Sequence, residues 1–262
     1  MPKGNKTTSN QSSIEPQAIS LENARSVKES ANERHQRIYQ VIRERISLLH
    51  YPPHTVIGEI ELADEFDVSR TPIRRVLQRL QHEGLVDIRS GVGTVVTDID
   101  IKTMKEVYDL RMYLTELISE LSPRMISNEH ISKLEALLSR TKLMYDVPDS
   151  QVYGRLCNEL HEVLISLVGS TPLREITDNL YYRSARIWIT FLPNLVWSDV
   201  IHDQEMETAE IIAAMKRNDI RGVVQVRRYY LHTLLTRISD YLRGVGHAPV
   251  SPMKPIAISS SD

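Results

Sequence analysis

The sequence contains a single cysteine, two tryptophans and two phenylalanines among its 262 residues. Because one cysteine cannot form an intramolecular disulfide, the class of small secreted proteins held together by disulfides is excluded. The sequence also lacks an apolar run long enough to cross a bilayer, and its polar N-terminus lacks the apolar stretch of a signal peptide. A formal net charge of −2 argues against a protein that coats nucleic acid through overall positive charge. We therefore expect a soluble, cytoplasmic protein that does not associate with membranes.

The length of the chain allows about two domains. Residues 1–30 are rich in polar side chains and residues 248–262 in proline and serine, so both ends are predicted to be disordered tails. Residues 31–98 mix helix and strand signals, whereas residues 99–247 carry helical periodicity alone. We predict a mainly α protein, in which an N-terminal winged helix-turn-helix domain precedes an antiparallel all-α bundle of six or seven helices.

The segment from Val68 to Leu80 predicts a helix with one apolar and one basic side. Ser69 is placed to cap this helix by accepting a hydrogen bond from the backbone N–H of Thr71, and Pro72 falls in the first turn. The apolar side comprises Ile73, Val76, Leu77 and Leu80. The opposite side carries Thr71, Arg74, Arg75 and Gln78, flanked by Arg70 and Arg79, without an acidic residue. This pattern is typical of a helix that lies in a DNA groove, although a solvated surface helix is an alternative.

The flanking segments favour the DNA-binding interpretation. A short helix is predicted from Gly58 to Phe66, and two residues join it to the arginine-rich helix, as in a helix-turn-helix. Downstream, strand-like runs at residues 85–89 and 94–97 surround a glycine-containing turn and predict a β-hairpin wing. An earlier helix, with Ile38, Ile42, Ile46 and Leu49 on one face, is predicted to end at Tyr51-Pro52-Pro53.

Residues 34–97 resemble the winged helix-turn-helix of the GntR family of bacterial transcription regulators. The matching residues are Pro53, Glu59, Leu62-Ala63, Val68 to Pro72, Ile73, Arg74, Glu83-Gly84-Leu85, Gly91 and Gly93. His54, Ile60 and Arg75 depart from the pattern, in which glycine, arginine and glutamate are usual. The resemblance implies that the DNA-binding residues are Ser69, Arg70, Thr71, Arg74 and Arg75, with Gly91 in a wing that enters the minor groove.

In the predicted bundle, polar residues occupy otherwise apolar helix faces. Arg111 stands in a seam formed by Met104, Val107, Leu114, Ile118, Leu121 and Met125, and a buried guanidinium there needs a carboxylate, carbonyls, water or a bound anion. Cys157, His161, Thr208 and Tyr230 are predicted to face the same interior from other helices. Each of these residues also has a purely structural explanation. Arg183 is a second candidate cation, for which a dimer interface is the alternative.

Residues 100–245 resemble the FCD effector domain found in the FadR branch of the GntR family. Many such domains bind a divalent metal through an Asp-x-x-x-His pair and two later histidines spaced 22 residues apart. Cys157, His161, Thr208 and Tyr230 stand at those four positions, so only His161 matches. Because a threonine hydroxyl and a phenol are poor ligands, we predict a cavity without metal or cofactor, although a metal held by Cys157 and His161 remains the alternative.

These observations predict a ligand-responsive, homodimeric repressor of a catabolic or transport operon. Two recognition helices would read a palindromic operator in double-stranded DNA. A small anionic metabolite, bound by Arg111, Cys157, His161, Thr208 and Tyr230, would release the protein through a hinge near Ile99-Asp100. One alternative is an activator with the same parts. Another is an enzyme with Cys157 as nucleophile and His161 as base, but because no orienting third group is identifiable, we expect no catalysis.

Overall fold

A computed structural model describes residues 30–244 in two helical domains joined by a short linker. The N-terminal domain contains α1 (Ala31–Ser47), β1 (Val56–Ile57), α2 (Glu59–Glu65), α3 (Arg70–His82), β2 (Val86–Arg89) and β3 (Gly93–Val96). The C-terminal domain contains α4 (Met104–Leu117), α5 (Asn128–Lys142), α6 (Ser150–Ser166), α7 (Thr171–Phe191), α8 (Trp197–Lys216) and α9 (Ile220–Leu242). The mainly α fold class is thereby confirmed. Apart from Ser30, which caps α1, the predicted tails lie outside the described residues.

The helix-turn-helix and its wing pack on one hydrophobic core. Ile38 and Ile42 of α1 are fully buried against Ile73 and Leu77 of α3. The sheet has the antiparallel order β1-β3-β2, and β1 pairs with β3 through Val56 and Val95. The sequence analysis missed β1, because a strand of two residues is too short to show an alternating pattern.

Two local predictions in this domain were wrong. Ser69 occupies the N-cap position of α3, but its side chain makes no capping hydrogen bond. Leu49 lies beyond the end of α1 with a φ of 60°, a left-handed conformation that ends the helix.

The wing turn contains Gly91 and Gly93 with φ of 75° and 110°, values that glycine adopts without steric cost.

The first bundle helix is shorter than its apolar pattern predicts. α4 ends at Leu117, and the chain then turns through Ser122, whose φ is 54°. Leu121 and Met125, which were assigned to the helix seam, are 45% and 87% exposed. Pro123 prevents the helix from continuing to Met125, since the residue before a proline is disfavoured in the helical conformation.

α7 packs against both domains. Tyr181, Tyr182 and Ala185 on this helix belong to the hydrophobic core of the N-terminal domain. Ile187 and Trp188, only a few residues later, belong to the core of the bundle. A single rigid helix therefore contacts both the DNA-binding domain and the interior of the bundle. No helix among residues 30–244 is long and apolar enough to cross a membrane.

Candidate functional site

The exposed face of α3 presents the arginines that the sequence analysis singled out. Ser69, Arg70, Thr71, Arg74 and Arg75 are all exposed. Glu59, at the start of α2, accepts hydrogen bonds from Arg70 Nη2 at 3.1 Å and from Arg74 Nη2 at 3.0 Å. The hydrogen bond from Arg74 lowers the pKa of the Glu59 carboxyl, which stays ionised. One carboxylate thus holds two guanidinium groups side by side on the solvent face of the helix.

Arg79, although it lies on the flank of the same face, has a structural role. Its guanidinium lies 3.5 Å from the ring centroid of Tyr39 and donates to Glu83 at 3.1 Å. This stacked, ion-paired geometry keeps Arg79 on the body of the domain, away from the face that carries Arg70 and Arg74. Gly91 is exposed at the tip of the wing, and no atom lies within 4 Å of the position that a Cβ would occupy there.

A cavity of about 60 Å³ lies inside the bundle, between α4, α6, α7, α8 and α9. Its walls combine aromatic rings with a small number of polar and charged groups. The polar groups come from Tyr108, Arg111, Tyr153, Cys157, Tyr181, Asp203, Gln204, Glu207, Arg227, Tyr230 and Arg237. A second chamber of about 20 Å³ shares Arg111, Tyr181 and Arg227 with the first and reaches His161 and Thr177. The two arginines therefore line two adjacent spaces.

Arg111 is a buried cation without an acidic partner. It is 6% exposed, and its Nη1 donates to the hydroxyl of Ser184 at 2.9 Å. The guanidinium lies 5.1 Å from the ring centroid of Tyr108 and 5.4 Å from that of Tyr181. Burial lowers its pKa, and within residues 30–244 it forms no ion pair with a carboxylate. Neutral partners only partly compensate a buried charge, so this site favours a bound anion.

Glu207 and Arg227 form a second charged feature, which the sequence analysis missed. Arg227 Nη1 lies 2.6 Å from Glu207 Oε1, and the two side chains are 14% and 5% exposed. The signal was present, because Glu207 precedes Ile211 by four residues and Arg227 precedes Leu231 by four, which puts both charges on buried helix stripes. With three guanidinium groups (Arg111, Arg227 and Arg237) and two carboxylates (Asp203 and Glu207) among its lining residues, the cavity carries one net positive charge.

Cys157 and His161 lie in neighbouring spaces with different partners. The Cys157 thiol contacts Gln204 Oε1 at 3.5 Å, and burial raises its pKa to about 12. His161 Nε2 lies 2.9 Å from Asp178 Oδ1, and burial lowers the pKa of the imidazole to about 4. Both side chains are therefore uncharged near neutral pH. A protonated thiol is a poor nucleophile and a poor metal ligand.

Thr208 and Tyr230 differ in their access to the cavity. Thr208 is fully buried, and its hydroxyl donates to the backbone carbonyl of Gln204 at 2.7 Å. Contrary to expectation it lines neither chamber, because one residue along a helix rotates the side chain by about 100° and Glu207 occupies the inward position. Tyr230 lines the cavity, and partial burial raises the pKa of its phenol to about 12.

Arg183, the second candidate cation, lines neither chamber of the cavity. Arg183 is exposed, whereas Arg186 is 4% exposed and burial lowers its pKa to about 10. Arg186 Nη1 donates to the carbonyl of Thr97 at 2.9 Å. Arg186 thus connects α7 by a hydrogen bond to the segment between the wing and the linker.

The residues present do not fit the metal site that the FCD resemblance implies. Nε2 of His161 faces Asp178, and the Thr208 hydroxyl is bonded to the backbone. In the part of the chain that the structure describes, no cluster of three or more His, Cys, Asp or Glu side chains could hold a metal ion. A zinc-type site needs three or four nitrogen, thiolate or carboxylate ligands, which this arrangement does not supply.

Comparison with known proteins gives matches to both domains. Residues 34–96 match the bacterial regulatory proteins of the gntR family, and residues 106–233 match the FCD domain. The chain is 27% identical over 143 residues to the Bacillus subtilis HTH-type transcriptional regulator YdhC, covering 54% of this chain and 64% of that protein. It is 21% identical over 199 residues to the Escherichia coli HTH-type transcriptional repressor RspR, covering 76% of this chain and 86% of that protein.

The fold is shared with a solved structure. The E. coli protein described as McbR/YncC superposes with a TM-score of 0.68 over 80% of this chain and 98% of that chain. Sequence identity between the two is 14%, so the likeness shows the common architecture.

Proposed function

Because this chain belongs to the GntR family of bacterial regulatory proteins and carries an FCD domain, it is a DNA-binding transcriptional regulator, and we propose that it is a repressor released from DNA by a small carboxylate. RspR is named as a repressor, and its match covers 76% of this chain and 86% of RspR. This name supports repression over activation. Regulation of a catabolic or transport operon, with the effector as its substrate or intermediate, is the simplest context. Since its partner is the chromosome, it would act in the bacterial cytoplasm.

DNA binding would use the exposed face of α3. Arg70 and Arg74 would donate to base edges and phosphates, Arg75 would add a phosphate contact, and Ser69 and Thr71 would brace the backbone. The wing tip at Gly91 would enter the minor groove. The hydrogen bonds that Arg70 and Arg74 both donate to Glu59 support this assignment, because they lower the cost of ordering two long side chains on DNA.

We infer that the protein binds its operator as a homodimer. Leu110 and Tyr113, one turn apart on α4, are 46% and 65% exposed and form an apolar patch on the outer surface of the bundle. Such a patch is a candidate contact between two copies of the chain. Two symmetry-related α3 helices would then require a palindromic operator.

The effector would be a small monoanion. Arg111, a buried guanidinium without an acidic partner, is the observation that carries this proposal. The hydroxyl of Tyr108, fully buried in the same cavity wall, finds no hydrogen-bond partner within residues 30–244 and would donate to the same ligand. One net positive charge in the inner cavity matches one carboxylate better than two.

The cavity also limits the size of the ligand. A volume of about 60 Å³ holds roughly four or five water-sized groups, which suits a short carboxylic acid such as lactate or pyruvate. Cys157, His161 and Tyr230 would contribute uncharged contacts around it, whereas Thr208 would act through Gln204. The protonated thiol of Cys157 argues against the alternative of a cysteine-dependent enzyme, so we propose no catalytic activity.

Two titrations test the proposed function: one measures duplex binding by anisotropy in the presence of an organic acid, and the other measures binding of the acid to the protein by calorimetry. A duplex is selected from a random-sequence pool by the wild-type protein, and its affinity is then measured by fluorescence anisotropy with increasing acetate, lactate, pyruvate, malonate or succinate. We expect at least one monocarboxylate to weaken duplex binding, with a weaker effect from the dicarboxylates. Calorimetry gives the concentration at which each acid binds the protein. If none of the acids changes duplex affinity at that concentration, release by a carboxylate is contradicted.

A further inference from the structure

Asp178 on α7 lies between a side chain of the bundle and a side chain of the DNA-binding domain. Its Oδ1 accepts a hydrogen bond from His161 Nε2 at 2.9 Å, and its Oδ2 accepts one from Arg43 Nη1 at 2.5 Å. The side chains of His161 and Arg43 are 6% and 10% exposed, so water weakens neither interaction strongly. One carboxylate therefore joins the second chamber of the cavity to α1 through two charge-assisted hydrogen bonds.

The direction of the first hydrogen bond follows from the chemistry of the pair. An ionised carboxylate only accepts hydrogen bonds, so the proton between the two groups belongs to Nε2 of the neutral imidazole. The imidazole ring of His161 also stacks on Tyr181, with the centroids 3.7 Å apart and the planes at 4°. Its orientation is thus set by Tyr181, which lines both chambers, and by Asp178.

Beyond Arg43, the contacts continue to the recognition helix. The Arg43 guanidinium lies between two aromatic rings, 3.7 Å from the centroid of Tyr182 and 4.7 Å from that of Tyr39. The Tyr39 hydroxyl donates to Glu83 at 2.7 Å, and Arg79, in the last turn of α3, stacks on the other side of the Tyr39 ring. Packed side chains therefore lead without a gap from His161 to the helix that presents Arg74.

We propose that Asp178 is the residue that couples the cavity to the position of the DNA-binding domain. This inference rests on the proposed function, in which an anion occupies the space around Arg111. His161 lines the chamber that Arg111 shares, so a ligand there would move the imidazole and remove a hydrogen bond from Asp178. A carboxylate that His161 no longer holds can change its position, and the ion-paired Arg43 would move with it, so the DNA-binding domain would shift. Ligand binding drives this change as long as the ligand prefers the shifted arrangement.

Two polar contacts from α7 to the DNA-binding domain do not involve the cavity. Asn179 Nδ2 donates to the Glu83 carbonyl at 3.4 Å, and Arg186 donates to the Thr97 carbonyl at 2.9 Å. These contacts would keep the domains together while Asp178 changes partners. Asn179 is therefore a matched control, since it lies beside Asp178 on the same helix and contacts the same domain.

A double-mutant cycle tests the coupling without any ligand. His161→Phe keeps a stacking ring but removes the hydrogen bond to Asp178, and Arg43→Met removes the guanidinium but keeps an apolar stem. We expect each variant to lose affinity for the selected duplex by at least about fivefold. The double variant should lose no more than the worse single variant, because both break the same connection. With Asp178→Asn in the background, neither substitution should reduce affinity further.

The controls separate coupling from general damage to the domain interface. His161→Gln, which restores an N–H donor, should recover wild-type affinity, whereas the effect of Asn179→Ala should multiply with that of His161→Phe. Circular dichroism establishes that each variant is folded, and Arg43→Gln, which also removes the charge that pairs with Asp178, replaces Arg43→Met if the latter does not fold. Single variants that bind the duplex as tightly as the wild type would overturn the proposal. It would also be overturned if, with Asp178 present, the affinity losses caused by His161→Phe and Arg43→Met multiply in the double variant.

A ligand experiment distinguishes failure of this proposal from failure of the proposed function. With the monocarboxylate that releases the wild-type protein, Asp178→Asn should still show a thermal shift but no ligand-dependent loss of duplex affinity. Release that persists in this variant would overturn the coupling role while leaving the carboxylate effector in place. If no acid of the panel releases the wild-type protein, the proposed effector is wrong, and the ligand-free cycle still decides the role of Asp178.

Discussion

The buried guanidinium of Arg111 on α4 donates a hydrogen bond to the hydroxyl of Ser184 on α7, with Nη1 and Oγ 2.9 Å apart. That hydroxyl is in turn bonded to the backbone carbonyl of Leu180, one turn earlier on the same helix. The cavity cation therefore contacts the helix that packs on the DNA-binding domain, but it does so through a neutral hydroxyl. The charge itself stays without a carboxylate partner in the described part of the chain.

Replacement of Arg111 by methionine should leave the ligand-free protein as stable as the wild type or more stable. Removal of a buried, uncompensated charge lowers the desolvation cost of folding, and methionine keeps much of the apolar stem. Thermal unfolding measures the change, with Arg140→Met, which breaks an exposed ion pair with Glu159, as a control for the loss of a surface arginine. A strongly destabilised Arg111→Met variant would show that an internal acid holds Arg111, and the effector site would have to be sought elsewhere.

Substitution of Arg74 by alanine should abolish specific binding to the selected duplex without unfolding the protein. A lost bidentate arginine contact costs on the order of 1–3 kcal/mol in each half-site, and a dimer loses it twice. Gel-shift titration, with circular dichroism as the fold control, provides the measurement. Arg79→Ala on the same helix should instead lower thermal stability, because Arg79 packs on Tyr39. Unchanged duplex affinity for Arg74→Ala would contradict the assignment of α3 to the groove.

The purified protein should hold less than one transition metal ion per chain. Its thiol is protonated, and the imidazole nitrogen that a metal would need is bonded to Asp178. Elemental analysis measures the metal content, and thermal unfolding with and without a chelator measures its contribution to stability, which should be negligible. One tightly held zinc ion per chain would reverse this expectation and make Cys157 and His161 ligands.

Acidification should destabilise the protein through His161 before it affects Asp178. Burial lowers the pKa of His161 from 6.5 in the unfolded chain to about 4, so between these values the unfolded state binds more protons. Stability is therefore complete above pH 6.5 and is lost as the pH falls towards 4, by on the order of 3 kcal/mol. For Asp178, burial alone would raise the pKa, but the hydrogen bond from His161 and the charge of Arg43 lower it to about 2, so its contribution is lost at lower pH.

Denaturant unfolding at a series of pH values measures this effect. His161→Gln keeps an N–H donor but does not titrate, so its stability should change less than that of the wild type over the same interval. Equal slopes for the two proteins would show that another group causes the acid sensitivity.

The DNA-binding half could be predicted from the sequence more completely than the cavity. The motif from Val68 to Arg74 is local, and its solvent-facing arginines follow directly from helical periodicity. The cavity depends on which of two adjacent residues faces inward, and an error of one position selected Thr208 instead of Glu207. Its charge depends on a pair between α8 and α9, Glu207 with Arg227, which periodicity indicates only as two separate buried charges. Asp178 carried no signal, since its partners are distant in sequence and belong to two domains.

A single comparison tests most directly whether an anion at Arg111 controls DNA binding. The affinity of wild-type protein and Arg111→Met for the selected duplex is measured with and without the monocarboxylate that gives the largest thermal shift. At a ligand concentration of about one hundred times Kd, the wild type should gain roughly 2.7 kcal/mol of stability and lose duplex affinity. Arg111→Met should bind the duplex as tightly as ligand-free wild type and show neither response. Equal release of Arg111→Met and the wild type by the same acid would contradict the proposed effector site.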